Sequence, residues 1–163
     1  FYITGEEAVN HIINRTLSFS MKNVIFRLDF LRDYDRKFKS YKAGQDVHFV
    51  YINLMLTNKL IIVPKVLAYY YYRSSSTTNS FNIHRIDTFY SKLDIMLYIQ
   101  RNNLKTKYNH FHAFLHRVAL NSFRGLFTEL YIKSYSKKTL KLSVLEKYPN
   151  IASDYYEYLK SII

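Results

Sequence analysis

An acidic residue at the start of a buried helix is the first feature of the sequence that could do chemistry. Gly44, Gln45 and Asp46 lead into a run of apolar residues whose spacing predicts a largely buried helix ending near Asn58. A carboxylate at a helix N-terminus is stabilised by the unpaired backbone N–H groups and by the positive end of the helix dipole. These residues alone leave two interpretations open: Asp46 caps the helix, or its carboxylate takes part in a reaction.

Several other kinds of site are excluded or weakly indicated. The sequence has no cysteine, which excludes a disulfide scaffold, a cysteine-based zinc site and a thiol nucleophile. Its three glycines, at positions 5, 44 and 125, cannot build a glycine-rich phosphate loop. His112 and His116 are four residues apart on a predicted helix, but no third ligand accompanies them, so we interpret them as solvated or stacking side chains.

The charge of the chain favours an anionic partner. Twenty-four Lys and Arg residues against twelve acids give a formal net charge of +12, and residues 101–141 hold nine of these cations with Glu129 as the single acid. Such a stretch is either a solvated helix face or a surface for nucleic acid, acidic lipid or phosphorylated ligands. No apolar run approaches the roughly 20 residues that span a bilayer.

The elements that must position these residues are mostly helical, with a short strand pair, so we predict a single α+β domain over 1–163. Thr4 and Glu7 have capping-box spacing at the start of the first helix. β-Branched and aromatic runs on either side of Pro64 predict two strands, Leu60–Val63 and Val66–Tyr72. Apolar periodicity predicts helices over 5–17, from Asp46 to Asn58, from about 86 to 102, from about 108 to 132, and over 140–146 and 151–162.

The order of features over 38–78 resembles one enzyme family. Phe38, the run Gly44–Phe49, a buried helix, the run Lys59–Pro64, and then Tyr69–Arg73 with Ser76 and Thr77 are similar to the C-terminal part of bacterial family 2 glycosyltransferases of the GT-A fold. In that family an acidic pair precedes the helix, whereas this sequence has Gln45 in place of the first acid. The resemblance divides the chain into residues 1–82, the acceptor-side part of a catalytic domain whose mixed sheet the strands would complete, and a helical extension, 83–163.

The resemblance implies roles for individual residues. Asp46 would be the general base that takes the proton of the acceptor hydroxyl during an inverting sugar transfer. Gln45, Arg73, Ser75 and Ser76 would contact substrate, with Arg73 neutralising charge that develops on oxygen.

The resemblance also implies where a metal would bind. The family holds its divalent ion through an Asp-x-Asp motif, but Asp33-Tyr34-Asp35 stands too close before Asp46 to match it, and His84 matches the spacing of relatives poorly. We therefore predict no metal ligand in this sequence. Since the chain begins at Phe1, we interpret it as a fragment and expect Mn²⁺ or Mg²⁺ to bind through an N-terminal half that is missing from it.

The resemblance implies partners and a location as well. These are a nucleotide-sugar donor, a glycan or lipid-linked acceptor of surface polysaccharide synthesis, and a cytoplasmic location. The basic stretch 101–141 would contact the inner face of the membrane, a hypothesis that co-sedimentation with liposomes of neutral or acidic lipid would test.

Two interpretations without catalysis stay open. The basic stretch and the many aromatic residues also suit a helical nucleic-acid-binding module, whose affinity would fall steeply with salt. The helical C-terminal part could instead serve in self-association or docking to another enzyme. Separately, the strand pair would in isolation expose an edge, which is a known route to pairing with a copy of the same chain.

Overall fold

A computed structural model of the chain describes residues 1–69, 71, 83–134, 149, 150 and 153, without the side chains of 83 and 127–134. Five helices and two short strands form its regular structure. The strands are β1 (Tyr2–Ile3) and β2 (Leu60–Ile61), a 3₁₀ turn spans Ile83–Ile86, and the helices are α1 (Gly5–Asn14), α2 (Leu28–Asp33), α3 (Gln45–Leu56), α4 (Asp87–Arg101) and α5 (Asn109–Ser134).

Helix α1 begins with the predicted capping box. The Glu7 backbone N–H donates to the Thr4 hydroxyl at 3.2 Å, and the Thr4 N–H donates to the Glu7 carboxylate at 2.6 Å, so two otherwise unpaired amides are satisfied. The helix ends at Asn14, three residues earlier than predicted, because Arg15 adopts a left-handed conformation with φ of 57°. Its N–H then bonds back to the last turn.

The structure contains a strand pair, but only its Leu60–Ile61 member was predicted, and the prediction of a strand at 66–72 as its neighbour is wrong over the described residues. Leu60–Ile61 pairs antiparallel with Tyr2–Ile3, in the register Tyr2 opposite Ile61 and Ile3 opposite Leu60. Residues 66–69 and 71 do not form a strand. Tyr2–Ile3 is the strand that pairs with Leu60–Ile61, and the chain turns after Leu60–Ile61, where the Lys65 N–H donates to the Val63 carbonyl at 2.8 Å.

The core lies around α3, which is buried as predicted and packs against α1 and α4. Helix α1 approaches α3 so closely that a Cβ on Gly5 would lie 1.9 Å from the Leu54 carbonyl oxygen. The Tyr108 hydroxyl, just before α5, donates to the Met55 carbonyl at 3.0 Å near the end of α3. Fully buried side chains from four helices meet in this core, among them Val9, Val50, Leu54, Phe89, Ile95, Met96, Phe111 and Leu115.

The mostly helical α+β class predicted from the sequence is therefore confirmed. Helices α4 and α5 match the predicted helices near 86–102 and 108–132 to within two residues at most ends. The predicted terminal helices, 140–146 and 151–162, lie almost entirely outside the described residues. Membership of the GT-A fold and the division of the chain near residue 82 stay predictions.

Candidate functional site

The start of α3 is held tightly against α4. Gly44 precedes the helix with φ of 83°, a conformation that glycine adopts without steric cost. A Cβ at this position would lie 2.7 Å from the Ser91 hydroxyl oxygen and 3.1 Å from the Thr88 Cα, so the close approach of the two backbones also requires glycine. The first turn of α3, which carries the candidate base, therefore has a fixed position on the molecule.

Asp46 is exposed to solvent in that first turn, while the helix behind it is buried. Its carboxylate interacts electrostatically with the buried ammonium group of Lys92, which is 8% exposed and donates to the Thr88 carbonyl at 2.8 Å. Burial lowers the pKa of Lys92 to about 8, and the Asp46 charge acts against that shift. The arrangement places an exposed carboxylate within electrostatic range of a buried ammonium group whose pKa is lowered.

The other predicted substrate contacts are placed only in part. Gln45 begins α3 and is half-buried, and its side-chain oxygen is buried without a hydrogen-bond partner among the described residues. An unsatisfied amide oxygen of this kind is available to a hydroxyl donor. Arg73, Ser75 and Ser76 lie outside the described residues, so their predicted contacts with substrate stay predictions.

The residues considered for metal binding do not come together. Asp33 ends α2, and Asp35, with φ of 44°, forms an ion pair with Lys37 at 2.9 Å. His112 is buried, and burial together with Lys105 and His116 lowers its pKa. Across the described residues there is no group of three or more His, Asp or Glu side chains that could hold a metal ion.

A second polar cluster, which the sequence analysis missed, lies between the chain before α3 and helix α4. The Tyr41 hydroxyl donates to the Asp94 carboxylate at 2.6 Å, and the Lys39 ammonium lies 3.7 Å from the same carboxylate. His48 Nε2 lies 3.9 Å from Asp94. Burial lowers the pKa of His48 by more than the Asp94 charge raises it, and Lys39 and Arg36 lower it further. Tyr41 has a pKa raised by burial and by the bond to Asp94.

The sequence does carry one signal for this cluster. His48 and Asn53 are the polar residues on the inner face of a helix that is otherwise largely apolar, and polar side chains at such positions require partners. Asp94 gives no comparable signal, because only the packing of α4 on α3 brings it beside Tyr41.

Five of the nine cations in the basic stretch 101–141 have side chains that the structure describes. Arg101, Lys105, Lys107, Arg117 and Arg124 are all exposed, and Lys107 lies 3.8 Å from Glu6. Within the described residues, no helix combines the length and the apolar character needed to cross a bilayer.

Comparison with known proteins adds no relative. No protein-family model, no curated protein and no solved structure matches the chain. The resemblance to family 2 glycosyltransferases therefore rests on the residues of 38–78 themselves.

Proposed function

We propose that the chain is the acceptor-side part of a glycosyltransferase that moves a sugar from a nucleoside diphosphate to a glycan or lipid-linked acceptor. The observation that carries the proposal is the position of Asp46, an exposed carboxylate on the first turn of a buried helix that is anchored by Gly44. A carboxylate that acts as a general base must be accessible and must be held within hydrogen-bond reach of its substrate by a rigid element.

In the proposed reaction, the acceptor hydroxyl gives its proton to the Asp46 carboxylate as its oxygen forms a bond to the anomeric carbon. The bond from that carbon to the diphosphate oxygen breaks, and the nucleoside diphosphate leaves with the bonding electrons, so the anomeric configuration inverts. Gln45 would bind a sugar hydroxyl, and Arg73 with Ser75 and Ser76 would contact the donor diphosphate or the acceptor.

The remaining partners belong to the same proposal. A divalent ion, Mn²⁺ or Mg²⁺, would neutralise the diphosphate and would be bound by acidic residues outside this chain. The exposed cations of the basic stretch would hold the enzyme against anionic lipid at the inner face of the membrane. The chain alone would then be inactive, and activity would require the complete natural protein.

The test is the release of nucleoside diphosphate from a panel of sugar nucleotides with Mn²⁺, measured on the complete natural protein. We expect Asp46→Asn to lower turnover by at least about 100-fold, because proton transfer by a positioned base contributes rate factors of that size. Asp33→Asn removes an exposed carboxylate at the end of α2 and serves as the matched control, with turnover equal to wild type.

Two outcomes would contradict the proposal. Equal turnover in wild type and Asp46→Asn, with thermal midpoints unchanged, would remove Asp46 from the reaction. No turnover with any donor would favour the nucleic-acid-binding alternative, which the five exposed cations of 101–124 support. Oligonucleotide binding that weakens steeply as salt rises would then establish that alternative.

A further inference from the structure

A cavity of about 220 Å³ lies between residues 35–39 and the middle turns of α3, which contribute His48, Phe49, Ile52 and Asn53. This volume is far larger than the roughly 10–15 Å³ that one water molecule requires. The cavity does not involve Asp46, and the inference drawn from it does not rest on the proposed function.

Three residues that line this cavity carry buried polar atoms without a partner. Arg36 Nε, His48 Nδ1 and Asn53 Oδ1 form no hydrogen bond within the part of the chain that the structure describes. Leaving one such group unsatisfied costs about 1–3 kcal/mol, so three around one cavity require an explanation. Ordered water or a bound ligand that enters the cavity would supply the missing partners.

The fixed orientation of Asn53 defines what the ligand must offer. Asn53 is fully buried, and its amide nitrogen donates to the Phe49 carbonyl at 2.8 Å. This hydrogen bond fixes the orientation of the amide, so that Asn53 Oδ1 faces away from the Phe49 carbonyl and can only accept a hydrogen bond. The ligand must therefore donate a hydrogen bond, as a hydroxyl group does.

The charges at the cavity favour an anion, because three cations, Arg36, Lys37 and Lys39, line it against the one carboxylate of Asp35. Lys37 and Lys39 have carboxylates near them, Asp35 and Asp94 respectively. The Arg36 guanidinium has instead the rings of Tyr34 and Tyr98 at 5.9 and 6.0 Å, and it forms no ion pair with any described residue. A partly buried guanidinium without a counter-ion favours a phosphate or carboxylate ligand.

An aromatic wall limits the size and shape of the ligand. Phe38 and Phe49 stack with ring centroids 4.2 Å apart and an interplanar angle of 12°, and both line the cavity. Such a wall suits the apolar face of a short carbon chain or a sugar ring.

We propose that this cavity binds a small hydroxylated organic anion, such as a polyol phosphate. Its anionic group is bound by Arg36, with Lys39 nearby, and one hydroxyl donates to Asn53 Oδ1. His48 Nδ1 bonds a further oxygen of the ligand and, as a neutral imidazole, donates or accepts there according to its tautomer.

The test is calorimetric titration of the 163-residue chain with glycerol 3-phosphate, with sulfate and glycerol as comparison ligands. We expect glycerol 3-phosphate to bind more tightly than either, because sulfate lacks a hydroxyl donor and glycerol lacks the charge. Arg36→Gln should weaken binding by at least about tenfold, in keeping with a hydrogen bond to a charged group, and Asn53→Leu, which removes the acceptor oxygen, should weaken it by about two- to tenfold. Arg32→Gln, on the exposed side of α2, is the matched control and should bind as wild type does.

A second measurement keeps the test valid if a cavity variant fails to fold. In the wild-type chain, the imidazole nitrogen resonances of His48 should shift on titration with glycerol 3-phosphate, while those of the exposed His110 should not. Sulfate binding as tight as glycerol 3-phosphate, equal weakening by Arg32→Gln, or unchanged His48 resonances would each overturn the proposal. Asp46→Asn should leave this binding unchanged, which separates its failure from that of the transferase proposal.

Discussion

Lys92 is the residue whose surroundings change its chemistry most clearly. The side chain is nearly fully buried, and its pKa of about 8 lies below the ordinary value of 10.5 that it recovers on unfolding. The unfolded chain therefore binds the proton more tightly between these two values, and stability rises with pH across that window. Below about pH 8 the cost of the buried charge is present in full.

We expect this dependence to disappear in Lys92→Met. Between pH 7.5 and pH 9.5, the free energy of unfolding of the wild type should rise relative to that of Lys92→Met by about 2 kcal/mol. Urea denaturation of both proteins at the two pH values measures the difference, and the comparison cancels the contributions of other titrating groups. Lys42→Met, which removes an exposed lysine, should keep the wild-type slope. Parallel pH profiles for wild type and Lys92→Met would show that Lys92 does not titrate in this window.

Asp46 shows how much of the candidate site follows from sequence. Its place at the start of a buried helix could be predicted from the apolar spacing that follows it. Its relation to Lys92 could not, because 46 positions separate the two residues and only the packing of α4 on α3 brings them together. The Asp94 cluster could not be predicted for the same reason, and the Arg36 cavity could not because it depends on the tertiary contact between residues 35–39 and α3.

Among the elements, the junction of α3 with α4 depends on Gly44. We expect Gly44→Ala to destabilise the protein by about 1–3 kcal/mol, because the new methyl group meets Ser91 and the positive φ disfavours any side chain. Gly125→Ala is the matched control, since Gly125 is helical and a Cβ there meets nothing within 4 Å. That substitution should stabilise α5 by about 0.5–1 kcal/mol. Thermal and urea unfolding measure both changes, and equal effects would contradict this role of Gly44.

Helices and strands differed in how well they could be predicted. The start of α1 and the bounds of α3 follow from local signals, the Thr4 capping box and continuous apolar spacing, which act within one or two turns. The strand partner of Leu60–Ile61 could not be read in the same way, because strand pairing is set by tertiary contacts. The β-branched and aromatic residues of 66–72 predicted a strand there. Composition, however, does not identify which segment pairs with the edge of Leu60–Ile61.

At the scale of the whole molecule, the chain after β2 exposes an apolar run. Val66 and Leu67 are 75% and 73% exposed, and Tyr69 and Tyr71 are more exposed still. Contiguous apolar surface of this kind marks interaction sites in soluble proteins. We expect the chain to associate through this run, either with itself or with further protein.

Sedimentation velocity at increasing concentration tests the self-association. The wild type should show a mass that rises with concentration, and Leu67→Asp should remain monomeric, because a carboxylate in an apolar contact is strongly unfavourable. Ile25→Asp is the control, since Ile25 is 95% exposed but lies in a different part of the chain. Association that persists in Leu67→Asp, or is lost equally in Ile25→Asp, would place the contact elsewhere.

The pairing of the first residues with β2 closes a loop between residues 1 and 62. The Phe1 amino group donates to the Ile62 carbonyl at 3.3 Å, and the Ile62 N–H donates to the Phe1 carbonyl at 2.9 Å, across a separation of 61 positions. Joining the ends of a flexible segment of that length costs on the order of 4 kcal/mol of closure entropy. A ladder of two-residue strands returns only about 0.5–1.5 kcal/mol for each hydrogen bond. The packing of α1 on α3 therefore provides most of the free energy that holds residues 1 and 62 together. The two short strands add a smaller contribution to a loop that the helices have already closed.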